Sequence, residues 1–481
     1  MAETVETTGG RVRGGRSEGV SVYRGIPFAR QSRFAPPRPP VPWSGIQDAT
    51  AFGPAAPQHA MGPRPAPASQ SEDCLYLNVW TPAADAGRRP VMVWVHGGGF
   101  EAGTSFAAHT DGSALVRRGD VVVVSLAYRL GALGFLDLTG WGGPANLGLL
   151  DQVAGLEWVR DNIAAFGGDP GNVTVFGESA GAFSIGALLA MPRAKACFHK
   201  AILQSGGTTR IFQPDTTQAM TADLLRATGC ATIDELRAVD ADKILDAQQR
   251  VIDTDIGCRN TPGGRSWGAV ADGEVLPAHP QGAVESGAVA GFPILVSATR
   301  DEVNVFRAAA PSAFDPVDEA ALLAEMSGCV GGRADRLHAF YRATDPDLGS
   351  IRSRFLTDWI YRIPAVRLAE YWRGPAWLSL FAWSSPVFAD GRGSHHALDT
   401  PFVFGTVADP AVAAQIGPDP SAAAVSEAMS TAWISFAHTG NPGWPRYTRE
   451  RRTTMRFDAE PRPVDDPERA RREIWEGVVR R

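Results

Sequence analysis

The segment Val173–Met191, VTVFGESAGAFSIGALLAM, is the most informative part of this chain for its fold. Its β-branched and aromatic start predicts a short strand, and the residues from about Ala180 onward predict a helix that a proline closes. Gly177–Gly181, GESAG, lies between them as the sharp strand-to-helix turn that lifts a serine hydroxyl above the edge of a sheet. Small residues on both sides let the neighbouring backbones approach closely. We therefore predict that Ser179 is a nucleophile.

The same five-residue pattern occurs at two other places, but without a strand before it and a helix after it. Gly15–Gly19, GRSEG, lies between two strand-like stretches and predicts a hairpin turn. Gly264–Gly268, GRSWG, follows a turn-rich segment and has no incoming strand. The structural context, and not the pattern itself, selects Ser179.

Composition and charge exclude several classes of protein. The 481 residues are 44% hydrophobic and 20% charged, which is enough for one large core or for two to three ordinary ones. The 52 acidic and 46 basic residues give a net charge of −6, so we expect no nucleic-acid partner. The longest apolar run, Val121–Leu136, contains Arg129 and is too short to cross a membrane, and we see no secretory signal. We expect a soluble protein with no membrane partner.

The five cysteines are widely spaced, odd in number and form no CxxC pair. This pattern predicts neither a disulfide framework nor a zinc site, and it is typical of thiols in a reducing compartment. We therefore expect a cytoplasmic protein without a metal or another cofactor. The cysteines are Cys74, Cys197, Cys230, Cys258 and Cys329.

Strands and helices alternate along the chain, which predicts an α/β architecture with a large, mostly parallel sheet. The predicted strands are Leu75–Thr81, Val91–His96, Val121–Ala127, Val173–Phe176, Ala201–Gln204, Pro293–Thr299 and Ala376–Trp383. The longest predicted helices are Leu147–Ala165 and Ser421–His438. Residues 210–290 and 310–370 are interpreted as helices and loops over the sheet. Because there is no repeat and no linker, we expect a single domain over residues 1–481.

A glycine-rich turn, His96–Phe100 (HGGGF), comes at the end of a predicted strand. Hydrolysis of an ester or amide builds negative charge on the carbonyl oxygen, and N–H groups that already point there stabilise the transition state. Glycine lets the backbone reach the substrate. We assign the N–H groups of Gly98, Gly99 and Ala180 as the donors of an oxyanion hole. A phosphate-binding loop is excluded because the chain has no Gly-Lys dipeptide.

A serine nucleophile needs a base and an acid that orients the base, and in this arrangement the acid and then the histidine follow the serine in the chain. His395 and His396 lie in a Gly/Ser loop after a predicted strand, and spacing does not separate them. Asp301 and Glu302 directly follow another predicted strand, and position does not show which of them is the acid. The other histidines after Ser179 are His199, His279, His338 and His438. Of these, His338 is expected to pack inside a helix, and His438 to lie at the end of one.

Longer segments resemble a known family. SEDCLYLNVW (71–80) and FGGDPGNVTVFGESAG (166–181) are similar to the two signature segments of the type-B carboxylesterases, which include cholinesterases and bacterial para-nitrobenzyl esterases. The similarity extends from YRGIPFA (23–29) to WISFAHTGNPGWPRY (433–447). It implies an α/β-hydrolase fold and a bacterial serine hydrolase that acts on carboxylic esters.

The resemblance also implies roles for individual residues. The acid of the family falls on Glu302, although the glycine that usually follows it is Val303 here. The histidine of the family falls on His396, ahead of FVFG, and its oxyanion glycines fall on Gly98 and Gly99. The family also implies two structural ion pairs, Arg33–Glu72 and Arg129–Asp169.

Two departures from the family matter. Cys74 has no cysteine upstream, and Cys230 lacks its partner because Ala238 stands there, so both family disulfides are absent and a reducing compartment is favoured. No tryptophan occurs between Trp43 and Trp80, so the ring that binds a quaternary ammonium in cholinesterases is missing and a choline ester is disfavoured.

The expected reaction passes through an acyl-enzyme: Ser179 attacks, His396 acts as base and then acid, and Glu302 orients the imidazole. Glu178 and Ser205 are candidates for positions around this triad. The alternatives are the same chemistry on a carbamate, amide or polyester side-chain bond, and a non-catalytic binding protein on the same fold. The pattern leaves open the substrate and whether the protein is a monomer or a homodimer. Substrate choice is expected to lie in loops at 55–70, 207–220 and 255–270.

Overall fold

A computed structural model describes residues 3–62, 65–289, 291–388 and 391–478. Within these residues, eleven strands form one large sheet and three form a small second sheet. The strands are β1 Thr4–Thr7, β2 Gly10–Arg13, β3 Gly15–Ser17, β4 Val20–Pro27, β5 Ile46–Asp48, β6 Tyr76–Thr81, β7 Arg89–Val95, β8 Val122–Leu126, β9 Gly168–Glu178, β10 Lys200–Gln204, β11 Ile294–Thr299, β12 Ala376–Phe381, β13 Thr453–Phe457 and β14 Arg462–Asp465.

The large sheet has the order β14-β13-β12-β11-β10-β9-β7-β8-β6-β4-β3. All pairs from β13 to β8 are parallel, whereas β14, β6, β4 and β3 join antiparallel at the two edges. The small sheet pairs β1, β2 and β5. The predicted large, mostly parallel sheet is therefore confirmed.

Helices cover both faces of the large sheet. They are α1 Ser113–Gly119, α2 Gly131–Phe135, α3 Leu147–Asn162, α4 Ala180–Leu188, α5 Pro192–Lys195, α6 Pro214–Thr228, α7 Ile233–Ala238, α8 Ala241–Gln248, α9 Ile256–Asn260, α10 Pro280–Ser286, α11 Asn304–Ala309, α12 Pro311–Phe314, α13 Glu319–Val330, α14 Ala334–Arg342, α15 Leu348–Thr357, α16 Ile363–Tyr371, α17 Thr400–Phe404, α18 Pro410–Ile416, α19 Ser421–Thr439 and α20 Arg469–Glu473. None of the described helices is both long and apolar enough to cross a membrane.

Alternate residues of the parallel strands enter two different hydrophobic cores, one on each face of the sheet. In β7, Val93 and Val95 join the core that also contains α3 and α4, whereas Met92 and Trp94 join the core that contains α19. This division follows from the two-residue period of a strand and from burial on both faces.

The predicted strands of the large sheet are all present. Six of them match the predicted limits to within two residues, while the prediction Val173–Phe176 covers only part of the longer β9. The helix predicted to reach Met191 ends at Leu188, and a separate short helix follows. The hairpin predicted at Gly15–Gly19 is confirmed, because β3 and β4 pair antiparallel across it.

One of the two expected ion pairs is confirmed. The Arg33 Nε atom donates to Glu72 Oε2 at 2.9 Å. A second contact joins the Arg33 guanidinium to the other carboxylate oxygen. The pairing is therefore bidentate.

The expected pair Arg129–Asp169 is wrong. Arg129 instead binds Asp151 of α3 through two hydrogen bonds, of 2.8 and 2.7 Å, and both side chains are buried. Asp169 pairs with Arg88 at 3.0 Å. The reason is the direction of the strands: Arg129 follows the carboxyl end of β8, whereas Asp169 lies at the amino end of the parallel β9. The two residues are therefore at opposite edges of the sheet.

Four of the cysteines carry free thiols that differ in exposure. Cys74 and Cys197 are buried, Cys230 is half-buried and Cys258 is exposed. The expectation of unpaired thiols is confirmed for these four.

Candidate active site

The predicted turn at Ser179 is present. The strand β9 ends at Glu178, the helix α4 begins at Ala180, and Ser179 between them has φ 55° and ψ −122°. A non-glycine residue rarely adopts a positive φ, and such strain is concentrated at functional sites. The N–H of Ser179 donates to the carbonyl of Gln204 at 2.9 Å, which fixes the turn to the neighbouring strand β10.

Glycine is required on both sides of the serine because this turn packs directly on β7. A Cβ atom on Gly177 would lie 2.7 Å from the carbonyl oxygen of Val95, and one on Gly181 would lie 2.0 Å from the same oxygen. Neither position accepts even a methyl group. The structure thus confirms that small residues permit the close backbone approach at this turn.

The glycine-rich loop after β7 provides main-chain donors near this turn. Gly98 and Gly99 have φ values of 116° and 67°, and a Cβ on Gly98 would lie 2.0 Å from the carbonyl oxygen of Ala102. Within the described part of the chain, the N–H groups of Gly98 and Gly99 have no protein acceptor. Ala180 is the first residue of α4, so its N–H also has no partner inside the helix. All three donors are available to a ligand.

Buried side chains hold this loop in place. The Gln58 side chain donates to the carbonyl of Gly103 at 3.0 Å and accepts from its N–H at 2.8 Å. The ring of His96 stacks on Tyr128, with 4.4 Å between centroids, and the Tyr128 hydroxyl donates to the His96 carbonyl at 2.7 Å. Burial lowers the pKa of His96 to about 4, so its ring is neutral at pH 7. These contacts tie the loop to Gln58 and Tyr128.

His396 and Glu302 form a buried pair. The Nδ1 atom of His396 lies 2.6 Å from Oε2 of Glu302, and the N–H of His396 donates to the Glu302 carbonyl at 3.2 Å. The other carboxylate oxygen accepts from the N–H of Thr299, the last residue of β11, at 2.7 Å. Both carboxylate oxygens of Glu302 thus have a partner, and the contact with Oε2 orients the ring of His396.

The geometry shows which residue of each adjacent pair, His395/His396 and Asp301/Glu302, belongs to the buried contact. His395 directs its Nδ1 atom to the carbonyl of His396 at 2.9 Å, and Asp301 accepts from Arg300 and from the N–H of Ser394. His396, and not His395, therefore contacts Glu302. The other histidines after the serine contact different groups: His199 accepts from the N–H of Val173, His279 caps α10, His338 faces Glu319 and His438 faces the carbonyl of Gly119.

Two further carboxylates surround the imidazole. The Oε1 atom of Glu178 lies 3.1 Å from Nε2 of His396. Burial by itself would lower the pKa of His396, but the charges of Glu178 and Glu302 outweigh burial and raise this pKa to about 9. Asp399 is fully buried, and burial raises its pKa to about 6 although its Oδ2 accepts from Gln204 at 2.8 Å. The sequence interpretation placed Glu178 near the triad but missed Asp399, three residues after His396.

Ser205, the other candidate for a position around the triad, lies in the turn after β10. It is fully buried with φ 50°, and its N–H donates to the carbonyl of Ser297 at 2.8 Å. The two other serines of the five-residue pattern lie elsewhere. Ser17 is exposed in the β3–β4 hairpin, and the Ser266 hydroxyl accepts from Arg210 at 2.7 Å.

A cavity of about 200 Å³ adjoins the glycine-rich loop after β7. Gly97 and Gly98 line one side of it, Glu178 lines another, and His59 and Met61 come from the predicted substrate loop. Residues 63–64 of that loop lie outside the described residues. The cavity is therefore lined by Glu178, whose Oε1 atom contacts Nε2 of His396.

A strained serine between a strand and a helix, at the carboxyl edge of a mostly parallel sheet with a Glu–His pair, defines an α/β-hydrolase. Residues 1–475 match the model of the Carboxylesterase family, and the chain belongs to that family. It is 38% identical to the para-nitrobenzyl esterase of Bacillus subtilis (strain 168) over 98% of each chain. It is 35% identical to the phenmedipham hydrolase of Pseudarthrobacter oxydans over 92% of each chain.

Solved structures agree with this membership. A para-nitrobenzyl esterase structure superposes with a TM-score of 0.88 at 37% identity and covers 98% of this chain and 100% of that one. A carboxylesterase of Geobacillus stearothermophilus gives the same TM-score at 39% identity, with the same coverage. The chain is a serine hydrolase of carboxylic esters, and the comparisons do not favour the alternatives.

Proposed function

We propose that Ser179 is the nucleophile, His396 the general base and Glu302 the residue that orients His396. The observation that supports this assignment is the buried 2.6 Å contact between His396 and Glu302. The imidazole of His396 also faces Glu178, the residue before the strained Ser179. A serine hydroxyl is weakly nucleophilic by itself, and a base held by a fixed acid is the arrangement that activates it.

The proton moves in two steps of this reaction. The Nε2 atom of His396 takes the proton of Ser179 as the serine oxygen attacks the ester carbonyl. The oxyanion that forms accepts hydrogen bonds from the N–H groups of Gly98, Gly99 and Ala180. The carbonyl then reforms as the bond to the alcohol breaks, and Nε2 gives its proton to the departing alcohol. Water activated by His396 attacks the acyl-enzyme in the same way and releases the acid.

The substrates we propose are small to medium carboxylic esters. The cavity beside Gly98 and Glu178, of about 200 Å³, has room for a leaving alcohol of moderate size. One relative is named for para-nitrobenzyl esters, which supports an aromatic alcohol as one possibility within this class.

We further propose a single catalytic domain in the cytoplasm of a bacterium. The family match over residues 1–475 supports the single domain. The free thiols of Cys74, Cys197 and Cys230 support a reducing compartment, and the bacterial relatives support the source.

The test is hydrolysis of a p-nitrophenyl ester series from acetate to laurate by the wild type and by Ser179→Ala. We expect kcat to fall by about 10⁴- to 10⁶-fold in the variant, because the nucleophile is lost. Ser17→Ala is the matched control, because it removes a serine from the same five-residue pattern in an exposed hairpin, and it should keep full activity. A folded Ser179→Ala variant that remains active, or that still reacts with a fluorophosphonate, would refute the assignment.

A further inference from the structure

Arg210 is a buried guanidinium without a carboxylate partner. It lies in the loop that follows β10, and only 7% of the residue surface is exposed. Its Nη2 atom donates to the hydroxyl of Ser266 at 2.7 Å. Its Nε atom is buried without an acceptor among the described residues, and no Asp or Glu of these residues lies within ion-pair distance of the guanidinium.

This isolation is unusual within the molecule. The other arginines that are equally buried in the described residues each contact at least one carboxylate: Arg129 binds Asp151, Arg352 binds Asp255 and Glu325, and Arg362 binds Glu468. A buried charge without a partner is costly, and burial lowers the pKa of Arg210. Arginine nevertheless stays charged in proteins. Among these equally buried arginines of the described residues, Arg210 is therefore the one whose charge no described carboxylate neutralises.

The aromatic neighbours of Arg210 connect this charge to the elements that hold Ser179, His396 and the glycine-rich loop. Its guanidinium carbon lies 5.7 Å from the ring centroid of Phe100, which directly follows the oxyanion glycines. It lies 5.8 Å from the ring of Phe183, which is on α4 one turn after the nucleophile. The Phe183 ring contacts Tyr361 at 6.2 Å, and Tyr361 packs on the His396 ring at 4.9 Å.

A nearby carboxylate does not compensate the charge. Glu101, in the loop after the oxyanion glycines, forms an ion pair of 2.9 Å with Arg259. Its charge is therefore already balanced, and one positive charge remains in excess from Arg210. An anionic group of a ligand would supply the missing partner and the acceptor for Nε.

The cavity of about 200 Å³ beside Glu178 is lined by residues other than Arg210, Phe100 and Phe183. His396 must give the alcohol its proton through Nε2, and Nε2 faces Glu178, which lines the cavity of about 200 Å³. This assigns the alcohol to that cavity and leaves the region of Arg210, Phe100 and Phe183 for the acyl chain.

We propose that Arg210 binds a carboxylate on the acyl part of the substrate, so that the preferred substrates are monoesters of dicarboxylic acids. This inference rests on the proposed function, because it assumes acyl transfer to Ser179. The planar guanidinium offers a carboxylate two parallel hydrogen bonds, which a lysine cannot reproduce. The aliphatic carbons between the two carboxyl groups of the substrate would lie against Phe100 and Phe183.

The test compares two esters of nearly the same shape, the monoanion ethyl hydrogen glutarate and its neutral amide analogue ethyl 4-carbamoylbutanoate. The ratio of their kcat/KM values is measured by titration of the released acid at constant pH. We expect the wild type to favour the monoanion by about ten- to a hundred-fold, the range of a charge-assisted hydrogen bond. In Arg210→Gln the ratio should fall to about one, and in Arg210→Lys it should be intermediate. The surface variant Arg88→Gln should leave the ratio unchanged.

A second pair of esters tests whether Arg210 recognises a carboxylate on the acyl part or on the alcohol part of the substrate. Carboxymethyl butanoate and carbamoylmethyl butanoate carry the charge, or its neutral analogue, on the alcohol. We expect no preference in this pair that depends on Arg210. A preference confined to this pair would overturn the acyl placement, and an Arg210→Gln variant that slows both glutarate esters equally would show a structural role only.

The failure of this inference is distinct from the failure of the proposed function. An enzyme that hydrolyses ethyl 4-carbamoylbutanoate as fast as the monoanion remains an esterase, but Arg210 then does not select a carboxylate. An enzyme that is inert to all four esters and to a fluorophosphonate overturns both proposals.

Discussion

Two buried clusters of charged side chains lie at the carboxyl edge of the large sheet, and they differ in balance. In the first, Arg129 is bound by Asp151 through two hydrogen bonds, so positive and negative charge cancel. In the second, His396 contacts two carboxylates, Glu302 at 2.6 Å and Glu178 at 3.1 Å.

The difference shows how the same side-chain types serve stability in one place and reactivity in the other. A balanced pair gains nothing from a change of protonation, so it stays fixed and its loss is felt in stability. An excess of negative charge around an imidazole favours the protonated ring, so the cluster would stabilise the charge that His396 gains in the proposed reaction. Of these two clusters, the one with imbalanced buried charge is therefore the one that contains the proposed catalytic histidine.

Among the variants of these two clusters, the largest effect is expected from Glu302→Gln. An amide of the same shape keeps the packing but cannot hold the imidazole in the correct tautomer, so kcat should fall by about 10⁴-fold. The measurement is steady-state hydrolysis of p-nitrophenyl butyrate with thermal unfolding recorded on the same samples. Asp301→Asn, one residue earlier, is the matched control and should change kcat little. Equal losses in both variants would contradict the assignment of Glu302.

The next effect tests the balanced cluster. Arg129→Met leaves Asp151 buried without a partner, and we expect a loss of about 3–5 kcal/mol in the free energy of unfolding, measured in urea. The double variant Arg129→Met/Asp151→Leu removes both charges and should recover much of that loss. If the double variant is no more stable than the single one, the penalty does not come from the unpaired charge.

A change in the pH profile is expected from Glu178→Gln. His396 must be neutral to act as a base, so kcat/KM rises with pH through the pKa of His396. The negative charge of Glu178 raises this pKa, so its removal lowers it and should move the acidic limb to lower pH by about one unit. The pH dependence of kcat/KM for a neutral ester checks this, and a limb that stays in place would show that Glu178 does not act on the imidazole.

The smallest effect is expected from loss of the ion pair between Asp169 and Arg88, which replaces the expected pair Arg129–Asp169. Asp169 pairs with Arg88, whose side chain is 75% exposed, so Asp169→Asn should cost about 1 kcal/mol or less. Asp151→Asn, in contrast, leaves Arg129 buried without a charge partner and should cost several times more. Urea unfolding of the two variants side by side ranks them, and the reverse order would contradict the pairing seen in the structure.

The sequence is most informative where one continuous segment contains the whole signal. The strand, turn and helix around Ser179 are adjacent in the chain. Gly177 and Gly181 are required there because an added Cβ would lie only 2.0 to 2.7 Å from the neighbouring main chain. The resemblance to the family was needed to choose Glu302 over Asp301. Position in the sequence does not distinguish two adjacent carboxylates, because which of them reaches the histidine depends on the folded loop.

The sequence is least informative for contacts that depend on which edge of the sheet a residue reaches. The partner of Arg129 could not be found from spacing, because Asp151 becomes its neighbour only when α3 packs beside the end of β8. Arg210 gave no signal either: its loop was expected to affect substrate choice, but the absence of a nearby carboxylate is a property of the packed chain.

The unequal exposure of the thiols has a practical consequence for spectroscopy. Cys258 is the exposed one of the four free thiols, and it precedes Arg259, which binds Glu101 beside the oxyanion loop. Partial burial and the carboxylates of Asp255 and Glu325 raise the pKa of this thiol, so a maleimide dye should attach to it more readily at mildly alkaline pH. The native chain thus has an exposed thiol, next to Arg259 in the chain, to which a fluorophore can be attached.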